Sequence, residues 1–353
     1  MSKPIRIGII GAGGNTRARH IPGLRGISGV ELAAVCNRSR ESGERSAKEF
    51  GIPQVTEDWR EIVAAADIDA VCIGTWPNTH AEISIAALHA GKHVLTEARM
   101  ARDLTEAEAM LAESRRHPHL VAQIVPAPMS LPFDATVRDL LAAGELGELR
   151  EVLPVCTNAA AADAAVPMNF RFDHVLSGRN TMFMGIYYEM VLRWLGEEPD
   201  WVQADAAIFT SRRRDGAGKW QEVRVPESLV ITGRYASGAR LGAHFSGVET
   251  SAPRAEIRLN GGRAGLRLDL TKGELWLARR GEAEKKIEIA PEKRGVWQVE
   301  ADFIASIREG RPVRLTDFGT GVDYMRFTEA VWDSWTDGGA RVELARYRRN
   351  EKK

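Results

Sequence analysis

The sequence predicts an α/β protein whose N-terminal part is a Rossmann-like, doubly wound parallel sheet and whose C-terminal part is a second α/β domain. Three observations predict it. A β-branched run over 5–10 ends abruptly at Gly11-Ala12-Gly13-Gly14 and turns into a stretch that can be helical. Apolar strand-like runs then alternate with polar-faced helical ones to about residue 125, the order expected of a parallel sheet wound in both directions. Beyond that point, short alternating segments separated by turn residues dominate. At 353 residues the chain is too long for one compact core. The pattern divides it into a dinucleotide-binding domain over 1–125 and a second domain over 126–353.

In the first strand–helix corner, glycine at 11 allows a tight turn, and glycine at 13 lets the backbone approach a pyrophosphate with no Cβ in the way. The helix that follows offers unpaired N–H groups and the positive end of its dipole to that anion. Gly14, Asn15 and Thr16 complete the turn, with Thr16 where such fingerprints usually carry a third glycine. The second strand, 30–36, ends at Asn37-Arg38-Ser39-Arg40. An acidic residue there would accept from ribose hydroxyls and repel a 2′-phosphate. A neutral Asn37 beside cationic and hydroxyl side chains does the reverse, favouring NADP over NAD.

Helices are expected over 41–50 and 59–65, and a central strand over 69–75, apolar because both its faces are covered. A helix over 81–90 stops at Gly91. A strand over 93–97 follows, then a helix whose Thr105-Glu106-Ala107-Glu108 start reads as a capping box, and a strand over 120–125. Ligands of such sheets sit beyond the carboxyl ends of the strands. That places Gly11, Gly13, Gly14, Asn15, Thr16, Asn37, Arg38, Ser39, Thr75, Trp76, Asn78, His80 and Glu97 around one cofactor crevice. Trp76 and His80 are also expected as a wall and a polar contact of the substrate pocket.

Composition narrows the function. There are 48 basic and 48 acidic residues, so no general attraction to nucleic acid or to an anionic membrane is expected. The basic runs at 212–214 and 346–353 read as solvated loop and tail. No apolar run is long enough to cross a bilayer and no cleavage pattern follows the N-terminus, which predicts a cytoplasmic protein. Cys36, Cys72 and Cys156 are far apart; the first two fall in predicted buried strands and read as free thiols. The eight histidines are dispersed, so no metal site is expected.

With these stretches in order, the chain resembles the glucose-fructose oxidoreductase / inositol dehydrogenase / rhizopine-catabolism (Gfo/Idh/MocA) family. The resemblance is carried by the glycine turn with His20-Ile21-Pro22-Gly23-Leu24, the Asp69 to His80 stretch with Thr-x-Pro-Asn-x-His, and Ala90 to Glu97. The 140–149 stretch and the tail over 303–344 also match. It implies a C-terminal domain built on a large open, mostly antiparallel sheet that commonly serves as an oligomer interface. A homo-oligomer, dimer or tetramer, is therefore expected. Two departures stand out. The family's Glu-Lys-Pro is Glu97-Ala98-Arg99 here, so its lysine is missing. Its Asp-x-Gly-x-His is Phe183-Met184-Gly185-Ile186-Tyr187.

In the second domain, an alanine-rich stretch over 159–165 leads through Asn169-Phe170-Arg171-Phe172-Asp173-His174 into a helix over 182–195. Strands are expected over 150–157, 201–209, 228–235, 239–246, 254–259, 264–270 and 275–278, with a tight hairpin at 260–262. Helices over 296–307 and 319–335 close the domain. The resemblance implies an NAD(P)-dependent oxidoreductase acting on a sugar, sugar derivative or cyclic polyol. Tyr187 and Arg99 are the candidate catalytic pair: a tyrosine is a poor base at neutral pH without a cation to lower its pKa. Arg171, His174 and Glu189 are candidate substrate contacts. Two rival readings are an NAD(P)-retaining sugar lyase or glycosidase working through transient oxidation, and a non-catalytic cofactor- or sugar-binding regulator.

Overall fold

The computed structural model describes residues 3–348. The chain forms two compact units: Met1–Pro126 with Gln298–Val322, and Ala127–Trp297 with Asp323–Lys353.

The first unit holds six strands, β1 (Ile5–Ile10), β2 (Val30–Cys36), β3 (Gln54–Thr56), β4 (Ala70–Ile73), β5 (His93–Thr96) and β6 (Ala122–Ile124). All pair in parallel in the order β3-β2-β1-β4-β5-β6. The winding reverses between β1 and β4, and a crevice opens at the carboxyl ends of strands where that happens. Ile7, Ile9, Val71, Ile73, Val94 and Leu95 are fully buried, as strands covered on both faces require.

The helix Leu104–Arg116 corrects one expectation. Its cap is Asp103, whose Oδ1 accepts from Glu106 N–H at 2.9 Å, while Glu106 Oε2 accepts from Arg102 N–H at 3.0 Å. The reciprocal cap thus starts two residues before Thr105 and uses an aspartate. The helix Val299–Glu309 is a second correction, because it belongs to the first unit rather than closing the second. Its Val299 carbonyl accepts from Gln123 Nε2 at 3.0 Å, and nearby Ile124 N–H donates to Thr316 O at 2.9 Å. An apolar stripe tells that a helix is buried, not which core buries it.

The second unit is built on a nine-stranded sheet. It contains β7 (Leu149–Thr157), β8 (Pro199–Ala207), β11 (Ser228–Tyr235), β12 (Arg240–Ser246), β13 (Arg254–Gly261), β14 (Ala264–Asp269), β15 (Glu274–Arg279), β16 (Lys285–Ile287) and β17 (Val342–Glu343). Their order is β16-β15-β14-β13-β7-β12-β11-β8-β17, and only the β7–β12 pair is parallel. The expected tight connection joins β13 to β14. Along β11, Leu229, Ile231 and Tyr235 are buried while Val230, Thr232 and Arg234 face outward, the period-two pattern of a half-buried sheet. The helix Met184–Leu195 is apolar and buried nearly all round.

A separate hairpin of β9 (Arg212–Arg214) and β10 (Trp220–Glu222) overturns the reading of 212–214 as a solvated loop. Arg213 is fully buried. It ion-pairs with buried Glu227 at 2.6 Å and donates to the carbonyls of Ala161, Asp163 and Val166 at 2.9–3.0 Å. Its guanidinium also lies 4.5 Å from the Phe172 ring centroid. One side chain therefore fixes the alanine-rich stretch that has no pattern of its own. Of the other basic run, Arg346 sits in the Leu344–Tyr347 turn, and 349–353 lie outside the described residues. Replacing Arg213 by methionine strands the Glu227 carboxylate and should destabilise the second unit by about 3–5 kcal/mol. Chemical denaturation checks this, and an unchanged midpoint would contradict the role given to Arg213.

Candidate active site

The corner after β1 is shaped by close backbone approach. Gly11 takes φ +89°, and a Cβ there would lie 2.7 Å from Thr75 N and 2.8 Å from Gly74 C. Both distances are closer than a side chain tolerates. Thr16, at the expected third-glycine position, is buried with its hydroxyl against Gly74: a Cβ on Gly74 would come within 1.9 Å of it. The missing third glycine is thus compensated by a glycine on the facing loop. Gly13, Gly14 and Asn15 are exposed, and a Cβ on Gly14 would meet nothing within 4 Å. The open side of the turn is therefore a bare backbone surface at the start of a helix, the cradle an anion needs. The helix then runs through a π-type turn, Thr16–His20, in which Ile21 N–H bonds Thr16 O.

Asn37 braces this corner from behind. Its Oδ1 accepts from Ala12 N–H at 2.8 Å and its Nδ2 donates to Ser42 Oγ at 2.9 Å. Its buried amide is committed to the turn. Ser39 caps the helix Arg40–Phe50. Arg38 is exposed, its guanidinium 5.1 Å from the Trp76 ring centroid, so the ends of β2 and β4 present a cation and an aromatic face side by side. Asn78 is half-buried in the first turn of the helix Pro77–His89, and Thr75 Oγ1 accepts from Thr79 Oγ1 at 2.7 Å.

Beyond β5, Glu97 joins a buried charge cluster. His20 Nε2 lies 2.9 Å from Glu97 Oε1, and His20 Nδ1 lies 2.6 Å from Glu300 Oε1. Asn15 Nδ2 donates to the same Glu97 oxygen at 2.5 Å. Burial pushes the His20 pKa down, but the bonds and charges of Glu300 and Glu97 outweigh it and bring it up to about 9. The ring is therefore an imidazolium at neutral pH, donating from both nitrogens. Burial acts to raise the Glu97 pKa, yet His20 and Asn15 hold it below the usual carboxylate range. Glu300 was missed from sequence because it stands 280 positions from its partner with no local motif to mark it.

His80 joins two loops at this end of the sheet. It is buried, and its nitrogens face the Arg99 carbonyl at 2.9 Å and the Thr75 carbonyl at 3.1 Å. Burial lowers its pKa. It ties the loop after β4 to the loop after β5. Arg99 is itself buried, and the peptide bond before it is cis.

In the second unit, Tyr187 is buried with its ring 5.7 Å from that of Phe245. Burial, and then the Cys156 thiol, push its pKa well above that of free tyrosine. Neighbouring Tyr188 stacks on Phe327 at 3.7 Å. Glu189 is buried, accepts from Ala127 N–H at 2.8 Å and ion-pairs with Arg193 at 2.7 Å. Arg171 lies over the Phe170 ring at 4.6 Å, and His174 packs 5.0 Å from Trp332. The expected dispersal of histidines also fails, since donor atoms of His89, Glu113 and His117 lie within 4.8 Å of one another.

Two family models match the chain. One, described as the oxidoreductase family with an NAD-binding Rossmann fold, covers residues 5–123. The other, the GFO/IDH/MocA C-terminal domain, covers 135–267. The chain belongs to the Gfo/Idh/MocA oxidoreductase family. This Gfo/Idh/MocA chain is 31% identical over 187 residues to a dTDP-3,4-didehydro-2,6-dideoxy-alpha-D-glucose 3-reductase of Saccharopolyspora spinosa, across 53% of the chain and 54% of the relative. It is 28% identical over 238 residues to a myo-inositol 2-dehydrogenase of Thermotoga maritima, across 67% of the chain and 66% of the relative. It thus spans about half the length of the first relative and two thirds of the second. Its fold matches an oxidoreductase domain protein from Kribbella flavida with a TM-score of 0.87 at 22% identity, covering 97% of this chain and all of that one. No helix among the described residues is long and apolar enough to cross a membrane.

Protonation of His20 ties the stability of the first unit to pH. The folded pKa of about 9 lies above the ordinary 6.5. The resulting stability is fully present below pH 6.5 and is lost as pH rises through 9. At about 1.4 kcal/mol for each pH unit separating the two values, unfolding free energy should fall by a few kcal/mol between these limits. His20→Gln should remove that slope. A wild-type stability flat across the interval would contradict the buried imidazolium.

Proposed function

We propose that the protein is an NAD(P)-dependent oxidoreductase that moves a hydride to or from a sugar, sugar derivative or cyclic polyol. The observation that carries this reading is the β1 corner, where Gly11 leaves no room for a side chain and Gly13 and Gly14 expose bare backbone at a helix start. Those features suit a diphosphate held by backbone N–H groups. The names of the two curated relatives, a sugar reductase and an inositol dehydrogenase, support the substrate class.

A bound nicotinamide supplies or accepts the hydride. The chain's own part is to hold the substrate and move one proton. Tyr187, held protonated at neutral pH by burial, is proposed as the group that exchanges a proton with the reacting oxygen. Arg99 is the proposed replacement for the absent family lysine. Arg171 and His174 are the proposed substrate contacts. Arg38, beside Trp76 and with no carboxylate paired to it among the described residues, suits a 2′-phosphate, so NADPH is the proposed reductant ahead of NADH. The outward face of the nine-stranded sheet is proposed to pair with a second copy of the chain.

Steady-state assays with NADH and NADPH over a panel of keto-sugars and inosones test this reading. Turnover should oxidise the added cofactor in step with substrate reduced, and Tyr187→Phe should lower kcat by at least about a hundredfold with cofactor affinity unchanged. Full activity in that variant removes Tyr187 from catalysis. Cofactor binding without turnover on any substrate would instead support the non-catalytic regulator.

A further inference from the structure

Half of the eight histidines gather at one edge of the first unit, away from the glycine corner in sequence. His89 is the last residue of the helix Pro77–His89, and His117 caps the end of the neighbouring helix Leu104–Arg116. Glu113 lies one turn before His117 on the same helix, the i and i+4 spacing that puts two side chains on one face. The His117 ring centroid is 6.4 Å from that of His89 and 6.2 Å from that of His119. His93 lies close by, but its Nδ1 accepts from Val121 N–H at 2.9 Å and holds that strand end.

The donor geometry is specific. Glu113 is buried, and both imidazoles address the same oxygen, Oε1: His117 Nε2 at 3.0 Å and His89 Nδ1 at 3.6 Å. The other oxygen, Oε2, accepts from Arg116 at 2.9 Å, so the carboxylate is oriented by an outer partner while one oxygen stays turned toward the two rings. Around a tetrahedral ion with bonds of about 2.0–2.1 Å, ligand atoms stand roughly 3.3 Å apart. The two observed separations bracket that value. The side chain of His89 is 83% exposed, so its ring can reorient without displacing the core. Two helix C-termini end at this spot, and the negative ends of their dipoles favour a cation there.

We propose that His89, Glu113 and His117 form a binding site for a divalent transition-metal ion of the zinc class that staples the ends of two neighbouring helices and takes no part in hydride transfer. Two imidazole nitrogens and one carboxylate oxygen are a donor set suited to zinc, with copper(II) and nickel(II) also accepted. Water completes the coordination at the exposed side. The site is independent of the nicotinamide reading. Protons compete with a metal ion for its ligands, and the Arg116 guanidinium, a permanent cation, is the fixed positive charge beside Glu113.

The test is calorimetric titration of untagged, full-length protein with zinc chloride, with copper(II) EPR to count nitrogen ligands. One equivalent should bind with two nitrogens in the coordination sphere, at least ten times more weakly at pH 5.5 than at pH 7.5. His89→Ala, on the exposed side chain, should weaken binding at least tenfold without disturbing the fold, and His117→Ala should do the same. Saturating zinc should raise Tm by several degrees in the wild type and not in either variant. Absence of saturable binding, or binding that both variants keep, would overturn the proposal.

Discussion

The close approach of two backbone turns, after β1 and after β4, is the constraint on which the first unit depends. Gly11 and Gly74 face each other with no space for a Cβ on either, and Thr16 seats its hydroxyl in the gap at Gly74. Because these turns touch, the helix start at Gly13 and Gly14 is held at the point where the sheet reverses its winding. Asn37 bonds the same corner from the end of β2. Three strands thus fix one patch of exposed backbone at Gly13 and Gly14. A pre-formed patch of this kind binds an anion without first ordering a loop.

A second layer of buried polar chemistry surrounds that corner. His20 holds Glu97 on one side and Glu300 on the other, so the residue after β5 is tied both to the first helix and to a helix that arrives almost at the end of the chain. His80 joins the backbone at Thr75 to that at Arg99. These histidines act as connectors between loops, and their opposite pKa shifts follow from the balance of burial against their partners. Two carboxylates outweigh burial and make one a cation, while burial outweighs the two carbonyls and lowers the pKa of the other. In the second unit Arg213 plays a comparable part for the alanine-rich stretch.

The parallel sheet, its glycine turn and most strand positions of the second unit were legible in the sequence because each rests on local patterning: periodicity, turn residues, a cap. The side-chain roles were less so. Asn37, His80 and Glu189 all stood at positions suited to ligand contact, yet each is spent on backbone groups or an ion pair that only tertiary packing supplies. Glu300 and Arg213 carried no local signal, since a buried partner far along the chain is what gives a lone charge its meaning. The helix Val299–Glu309 shows the same limit for whole elements: its apolar stripe was plain, but not the core it covers.

The central claim is that the β1 corner receives a dinucleotide diphosphate. Isothermal titration of the purified chain with NADH and NADPH measures it directly. Saturable uptake of at least one of them at one site per chain, abolished when Gly11→Val places a side chain against Thr75, is the predicted result. Uptake of neither nucleotide by the wild-type chain would contradict the account.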